Sequence, residues 1–378
     1  MRSIDVAVIG LGAMGGAAVY HLARRGWRVV GFDRFPPGHE HGSSHGATRI
    51  IRLGYYEHPS YVPLLRRAYS LWRELEAAAG EKLLQITGIA EIGSPNGILV
   101  AGTLAAARVH ALPHCVLAAP DLMRRFPAFR VPAQFVAVVQ PDGGFLKVEP
   151  ALNAHLGLAK AAGAELRVET VCAIEPRNGG VRIVTDRGAL DADAAIVTAG
   201  PWVAKLLPEL PVPLRVTRQV MAWFEPVDPA LFAADKFPVF MIESEGIHYG
   251  IPLDADGVKL GKHYHRDETV DPDRVDRSIS AADEAVIRSV LKYLPAANGR
   301  IRKAKTCLYT MTPDGDFLLD RVPGSNILVA SPCSGHGFKF APVIGEILAD
   351  LAAEGATRHD ISRFQLARLS ETRRGNRP

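Results

Sequence analysis

The chain has 378 residues, 48% of them apolar and 22% charged, with a formal net charge of +4. That length suits one large globular domain or two interlocked ones, and that composition excludes a disordered chain. No apolar run reaches the ~20 residues of a membrane span, the start lacks a signal-peptide layout, and four scattered cysteines form neither a disulfide framework nor a C-x-x-C pair.

A reducing cytoplasm is therefore the expected compartment, with no membrane and no nucleic-acid partner. The basic tail ARLSETRRGNRP reads as a solvated end rather than a nucleic-acid arm.

The first element predicted is an apolar strand over 6–9. Gly10, Gly12 and Gly15 follow as G-x-G-x-x-G, with Leu11 and Met14 between them. A helix runs on through Ala17, Ala18, His21 and Leu22, and a second strand over 28–32 ends at Asp33, before Arg34. In such a unit Gly10 permits the tight turn, Gly12 lets a pyrophosphate approach the backbone, and Gly15 lets helix and strand pack closely. The helix start offers free N–H groups and a positive partial charge. Asp33 suits a ribose hydroxyl, which favours FAD or NAD over NADP.

Next comes HGSSHGATRIIRLGYYEHPSY, in which Ser43, Ser44, Gly46 and Thr48 are small groups suited to phosphate, ribose or ring edges. Residues 48–52 read as extended, so Arg49 and Arg52, three apart, face opposite sides. The following helix has a plain core stripe at Leu64, Leu65, Ala68, Leu71, Trp72 and Leu75. Further on, GVRIVTDRGALDAD predicts a hairpin. The apolar strand over 194–197 then ends in Thr198, Ala199 and Gly200, where small residues let the chain pass close to a cofactor.

FPVFMIESEGIHYGIPL and GVKLGKH predict strands, and AADEAVIRSVLKYLP a covering helix. PVIGEILADLAAEG predicts a last helix, whose dipole would favour negative charge at its start. By themselves Lys259 reads as solvated, Met241 as core, and His263 and His336 as structural. His41 and His45 make no metal site, and no metal is expected.

The segments GSSHGATRIIR, GVKLGKH, KTCLYT, DGDFLLD and SGHGFKF occur in this order. Together they closely resemble monomeric sarcosine oxidase and N-methyl-L-tryptophan oxidase, among the D-amino-acid-oxidase-like FAD amine oxidases. The resemblance runs from residue 6 to about 364.

It implies an α/β fold: a Rossmann-like FAD domain (1–82, 145–215 and 305–378) interleaved with a mixed or antiparallel-sheet substrate domain (83–144 and 216–304). It implies a thioether from Cys307 to the flavin 8-methyl carbon. Arg49 and Lys259 would lie on one face of the flavin ring, Lys259 promoting oxygen reduction. Arg52 and Lys339 would bind the substrate carboxylate on the other face. Tyr249, Met241, His263, Tyr309 and Gly335 would line the substrate cavity, and Val171 would reach the adenine end. Gly337 and Phe338 complete the expected cofactor contacts.

The implied reaction is FAD-dependent oxidation of a secondary, N-methyl amino acid to an imine. Hydrolysis then gives a primary amine and an aldehyde, and O2 is reduced to hydrogen peroxide, by a monomeric enzyme.

Ala47 stands where this group commonly has an acid, LGYYEHPSY departs from its usual lid-like loop, and Lys262 resembles the methyltryptophan oxidase branch. Other flavin oxidases or dehydrogenases of cyclic or primary amines stay open, as do an NAD-dependent dehydrogenase and a non-catalytic flavin module. Cys333, in CSGHGFKF, is expected to be a small buried neighbour and not the reactive sulfur.

Overall fold

The computed structural model describes residues 4–369; the tail beyond, 370–378, lies outside the described residues. Two large sheets and one small sheet organise the chain.

The first sheet has Ile4–Ile9 at its centre, parallel to Val29–Asp33 on one side and to Gly188–Val197 on the other. Their apolar runs, 6–9, 29–32 and 194–197, are where helices cover the sheet. The helix Ala13–Ala23 packs against Val148–Ala161 and Ala341–Glu354, so ten of its residues, Gly15 to Leu22 among them, are buried. The expected hairpin is present, with its return arm and the apolar strand forming one continuous element, Gly188–Val197.

The second sheet runs in the order Ile301–Met311, Arg215–Phe224, Val258–Lys262, Gly246–Ile251, Val239–Ser244, Ile89–Gly93, Val136–Gln140, Cys115–Ala118. It is antiparallel except where Val239–Ser244 meets Ile89–Gly93. A small third sheet joins Thr48–Ile51, Gly144–Lys147 and Leu84–Ile86. A domain boundary at 305 falls inside Ile301–Met311, which pairs along its length with Arg215–Phe224. KTCLYT therefore sits on the second sheet, not the first. The covering helix is shorter than its sequence suggests. A capping box of Ser280 and Asp283 starts Ala281–Arg288, and the chain then tightens into a 3-10 turn, Ser289–Tyr293.

The alternating pleat of the second sheet does the positioning. Antiparallel partners share a face, so register carries one face across five strands. Tyr309 opposes Thr217, and Cys307 opposes Gln219. Met221 opposes Gly261, and Trp223 opposes Lys259. Tyr249 opposes both Gly261 and Met241. The other face of Arg215–Phe224, namely Val220, Ala222 and Phe224, joins an apolar core with Ile287 and Val290. Gly261 is needed where it stands: a Cβ there would lie 2.5 Å from the Tyr249 ring, which crosses over it.

Two histidines buried in the helical layer set an acid limit on the fold. Burial pushes His21 down to about 4 and His155 down to about 3. Between those values and the ordinary 6.5 the unfolded chain binds protons that the folded chain refuses, so stability falls as pH falls. At pH 5 each histidine is expected to remove about 2 kcal/mol relative to neutral pH, at about 1.4 kcal/mol per pH unit. Thermal unfolding of the holoprotein should show a midpoint that drops between pH 6.5 and 5; a flat profile would contradict this reading.

Candidate active site

A cavity of about 440 Å³ lies between the first sheet and that residue-bearing face of the second. Its far end is the glycine turn. Gly10 has φ +94°, and a Cβ there would sit 2.6 Å from the Thr198 carbonyl oxygen; a Cβ on Gly15 would sit 1.8 Å from the Gly10 carbonyl oxygen. Glycine is therefore obligatory for the turn and for the packing of its helix. Asp33 accepts the Leu11 N–H at 2.8 Å and the Phe35 N–H at 3.0 Å, which holds its carboxylate on the cavity wall. Ser44 accepts the Ala13 N–H at 3.0 Å, at the helix start.

Gly10, Leu11, Gly12, Met14, Asp33 and Arg34 all line the cavity, as do Ser43, Ser44 and Thr48. Val171, Ala199 and Gly200 do so as well. Gly15 is set behind this wall.

At the near end, Arg49 and Cys307 come together. Arg49 donates to the carbonyls of Thr48 (2.9 Å) and Ser43 (3.0 Å), and its Nη2 lies 3.6 Å from the Cys307 sulfur. Glu149, 102 residues on from Ala47, accepts the N–H groups of both Gly46 and Ala47, so a distant acid braces the HGATR turn. Lys259 is 1% exposed, not solvated. Its Nζ donates to the carbonyls of Gly46 and Thr48, each at 2.7 Å, and lies 5.2 Å over the Trp223 ring. Burial and then the Arg49 charge hold its ammonium well below the usual lysine range. Lys259 reaches the site from beneath the 46–48 turn and is not on the cavity wall.

Arg52 and Lys339 form the second cationic pair. Both stand by the Tyr55 ring, whose centroid is 4.3 Å from the Arg52 guanidinium and 5.2 Å from the Lys339 ammonium. Arg52 grips both carboxylate oxygens of Glu57, at 2.9 and 2.7 Å, and stands 3.6 Å from Glu91. Burial pushes the Glu91 carboxyl up to about 7 and the Lys339 ammonium down to about 7. Lys339 spends one donor on the His336 carbonyl at 2.7 Å, which leaves two. His336 takes both its ring nitrogens out of chemistry. Gly315 O can only accept, so Nε2 carries the proton and Nδ1 accepts from the Tyr55 hydroxyl at 2.7 Å.

Tyr249, Met241, Tyr309, His263, Gly335, Gly337 and Phe338 line the cavity between these two charged regions. Burial holds His263 neutral, at about 3, and its Nε2 has no partner among the described residues. Cys333 also lines the cavity; its sulfur accepts the Thr310 N–H at 3.4 Å, and burial pushes the thiol up.

Sequence reasoning missed Glu57, Glu91, Glu149 and Gln219. Glu57 was within reach, because it lies five residues after Arg52 in the segment already marked as unusual. The other three meet the site only through sheet register or long-range hydrogen bonds, which leave no local pattern.

Residues 5–351 match the family model described as FAD dependent oxidoreductase. The chain is 40% identical to monomeric sarcosine oxidase of Streptomyces avermitilis, over 97% of this chain and 98% of that protein. It is 36% identical to N-methyl-L-tryptophan oxidase of Yersinia pestis, over 97% and 99%. Among solved structures it is similar to NikD, an unusual amino acid oxidase essential for nikkomycin biosynthesis. That match has a TM-score of 0.85 and 29% identity, and covers 97% of this chain and 98% of the other.

Proposed function

For a chain that belongs to the FAD-dependent oxidoreductase family, we propose oxidation of a secondary, N-methyl amino acid to its imine. The imine hydrolyses to a primary amine and an aldehyde, and dioxygen is reduced to hydrogen peroxide. The residues present fit FAD. The glycine cradle would fill with any side chain, and Thr48 Oγ1, Gln219 Oε1 and Ser331 Oγ, on residues that line the cavity, are buried without partners among the described residues. Bound FAD supplies the two-electron acceptor.

The observation that carries the substrate reading is the pair of cations, Arg52 and Lys339, that both line the cavity and both stand by the Tyr55 ring. Glu57 already shows that Arg52 takes a carboxylate here, its Nη2 donating to both oxygens while Nη1 is held by the Gly54 carbonyl. A substrate carboxylate would take that place or share it, with the free donors of Lys339. The amine and its methyl group would then lie among Tyr249, Tyr309, Met241 and neutral His263, whose Nε2 would accept a hydrogen bond without adding charge. Gly335 leaves the space they need: a Cβ there would sit 2.3 Å from the Tyr309 ring.

On this reading Lys259 and Arg49 stabilise the negative charge that builds as electrons arrive and pass to oxygen. Cys307 would carry the cofactor as a thioether. The division into an FAD domain (1–82, 145–215, 305–378) and a substrate domain stands as part of the proposal, with the Cys307 strand spanning the junction. The enzyme would act as a cytoplasmic monomer.

The test is anaerobic bleaching of the flavin by a panel of N-methyl, cyclic, primary and D-amino acids, with peroxide measured in air. Bleaching by N-methyl amino acids first is expected; bleaching by none of the panel would overturn the reading. Arg52→Met should lower kcat/KM about 10²-fold, since a charged hydrogen-bond pair contributes about 1.5–3 kcal/mol, with most of the loss in KM. An unchanged KM would remove Arg52 from carboxylate binding.

A further inference from the structure

Tyr264 stands at the end of the GVKLGKH strand, one residue beyond His263. It has φ +58°, a left-handed conformation that a bulky side chain rarely adopts. Its neighbours hold the turn firmly. The His263 N–H donates to Ile247 O at 2.8 Å, His265 pairs with buried Asp283 at 3.0 Å, and Arg215 pairs with Asp267 at 2.8 Å. The Tyr264 ring is not held in this way: its hydroxyl has no hydrogen bond among the described residues, and the residue is 39% exposed.

The ring lies at a boundary. Its inner side lies against His263, with centroids 3.8 Å apart and the rings tilted by 38°, and stands edge-on to Tyr309 at 6.3 Å. His263 and Tyr309 line the inner cavity. The outer side of Tyr264 lines a separate open cleft with Arg215, Val216, Thr269, Met311 and Gly315. Burial, and after it the Glu57 charge, push the Tyr264 phenol up to about 12. A rigid turn thus carries a ring that can swing without losing a hydrogen bond, between an inner cavity and solvent.

We propose that Tyr264 is the gate of the amine cavity, closing it from the outer cleft by lying against His263 and limiting the bulk of the carboxylate-bearing ligand that enters. This rests on the carboxylate site described above and extends it to the choice of substrate: small amino acids pass the closed ring, and those with a large planar side chain wait for it to swing.

The test follows flavin absorbance in the anaerobic holoenzyme after mixing with acetate or with indole-3-acetate, neither of which has an amine to oxidise. In Tyr264→Ala the association rate of indole-3-acetate should rise at least fivefold and that of acetate less than twofold. Tyr264→Phe should match the wild type, because the ring and not the hydroxyl closes the path. Equal changes for both acids, or none, would overturn the gate. Should Tyr264→Ala lose its flavin, Tyr264→Asn, which tolerates the left-handed turn, takes its place. An enzyme that binds both acids with this selectivity but is bleached by no amino acid would sink the oxidation and leave the gate. Acids that leave the wild-type flavin spectrum unchanged would sink the gate together with the carboxylate site.

Discussion

Cys307→Ser protein is expected to release nearly all of its flavin on acid precipitation, while wild type and Cys333→Ser keep the yellow colour in the pellet. The reason is placement. The Cys307 side chain is on the cavity face of the second sheet, opposite Gln219, with the Arg49 guanidinium 3.6 Å from its sulfur. A thioether from Cys307 would replace one C–H of the flavin 8-methyl group with C–S; that proton, the thiol proton and two electrons would leave, and dioxygen could accept them as hydrogen peroxide. Arg49 is positioned to favour the negative charge that accumulates on the way. Cys333 reaches the same cavity, but its sulfur is engaged by the Thr310 N–H and burial disfavours its thiolate. Wild-type protein whose flavin is fully extracted, or colour lost from Cys333→Ser instead, would refute the assignment.

Lys259→Met should slow reoxidation of the reduced flavin by oxygen about 10²–10³-fold, the usual cost of one preorganised electrostatic group. Anaerobic reduction by substrate should stay within about tenfold. The split follows from position. Lys259 is held under the 46–48 turn by two carbonyls, next to Arg49 and away from the Arg52–Lys339 pair that would hold substrate. Methionine keeps the apolar stem on Trp223 and removes only the charge and its donors. The wild-type rate should itself fall as pH rises, and below the ordinary lysine range, because burial and Arg49 favour loss of the proton. The two freed carbonyls add a stability loss of about 1–3 kcal/mol, which thermal unfolding would show. Reoxidation at the wild-type rate in a folded Lys259→Met protein would end this role for the lysine.

Local chemistry is what made the first motif legible. A turn that needs φ +94° and a helix start that packs 1.8 Å from a carbonyl, were a Cβ present, leave glycine no substitute. The spacing of Gly10, Gly12 and Gly15 is therefore written into the chain, and so is the apolar strand before it. Likewise Cys307 and Tyr309, two apart, had to share a face wherever their strand went.

Lys259 shows the limit. Its segment reads as a half-exposed strand, and by that reading alone the lysine is solvated. It is buried because Arg215–Phe224 and Gly246–Ile251 pair on either side of it and a turn more than 200 residues away closes over its ammonium. The Arg52 fork is similar. Sequence supplied the cation, while the fold supplied Glu57 and Glu91 around it and Tyr55 under it.

The sequence by itself determined the dinucleotide turn, the alternation that pairs Cys307 with Tyr309, and the cationic residue types, since each depends on neighbours within a few positions. Only the tertiary structure decided which carboxylates and carbonyls those cations meet. Sheet register and burial bring together groups far apart in the chain, and the strength of a charge is set by what is folded around it.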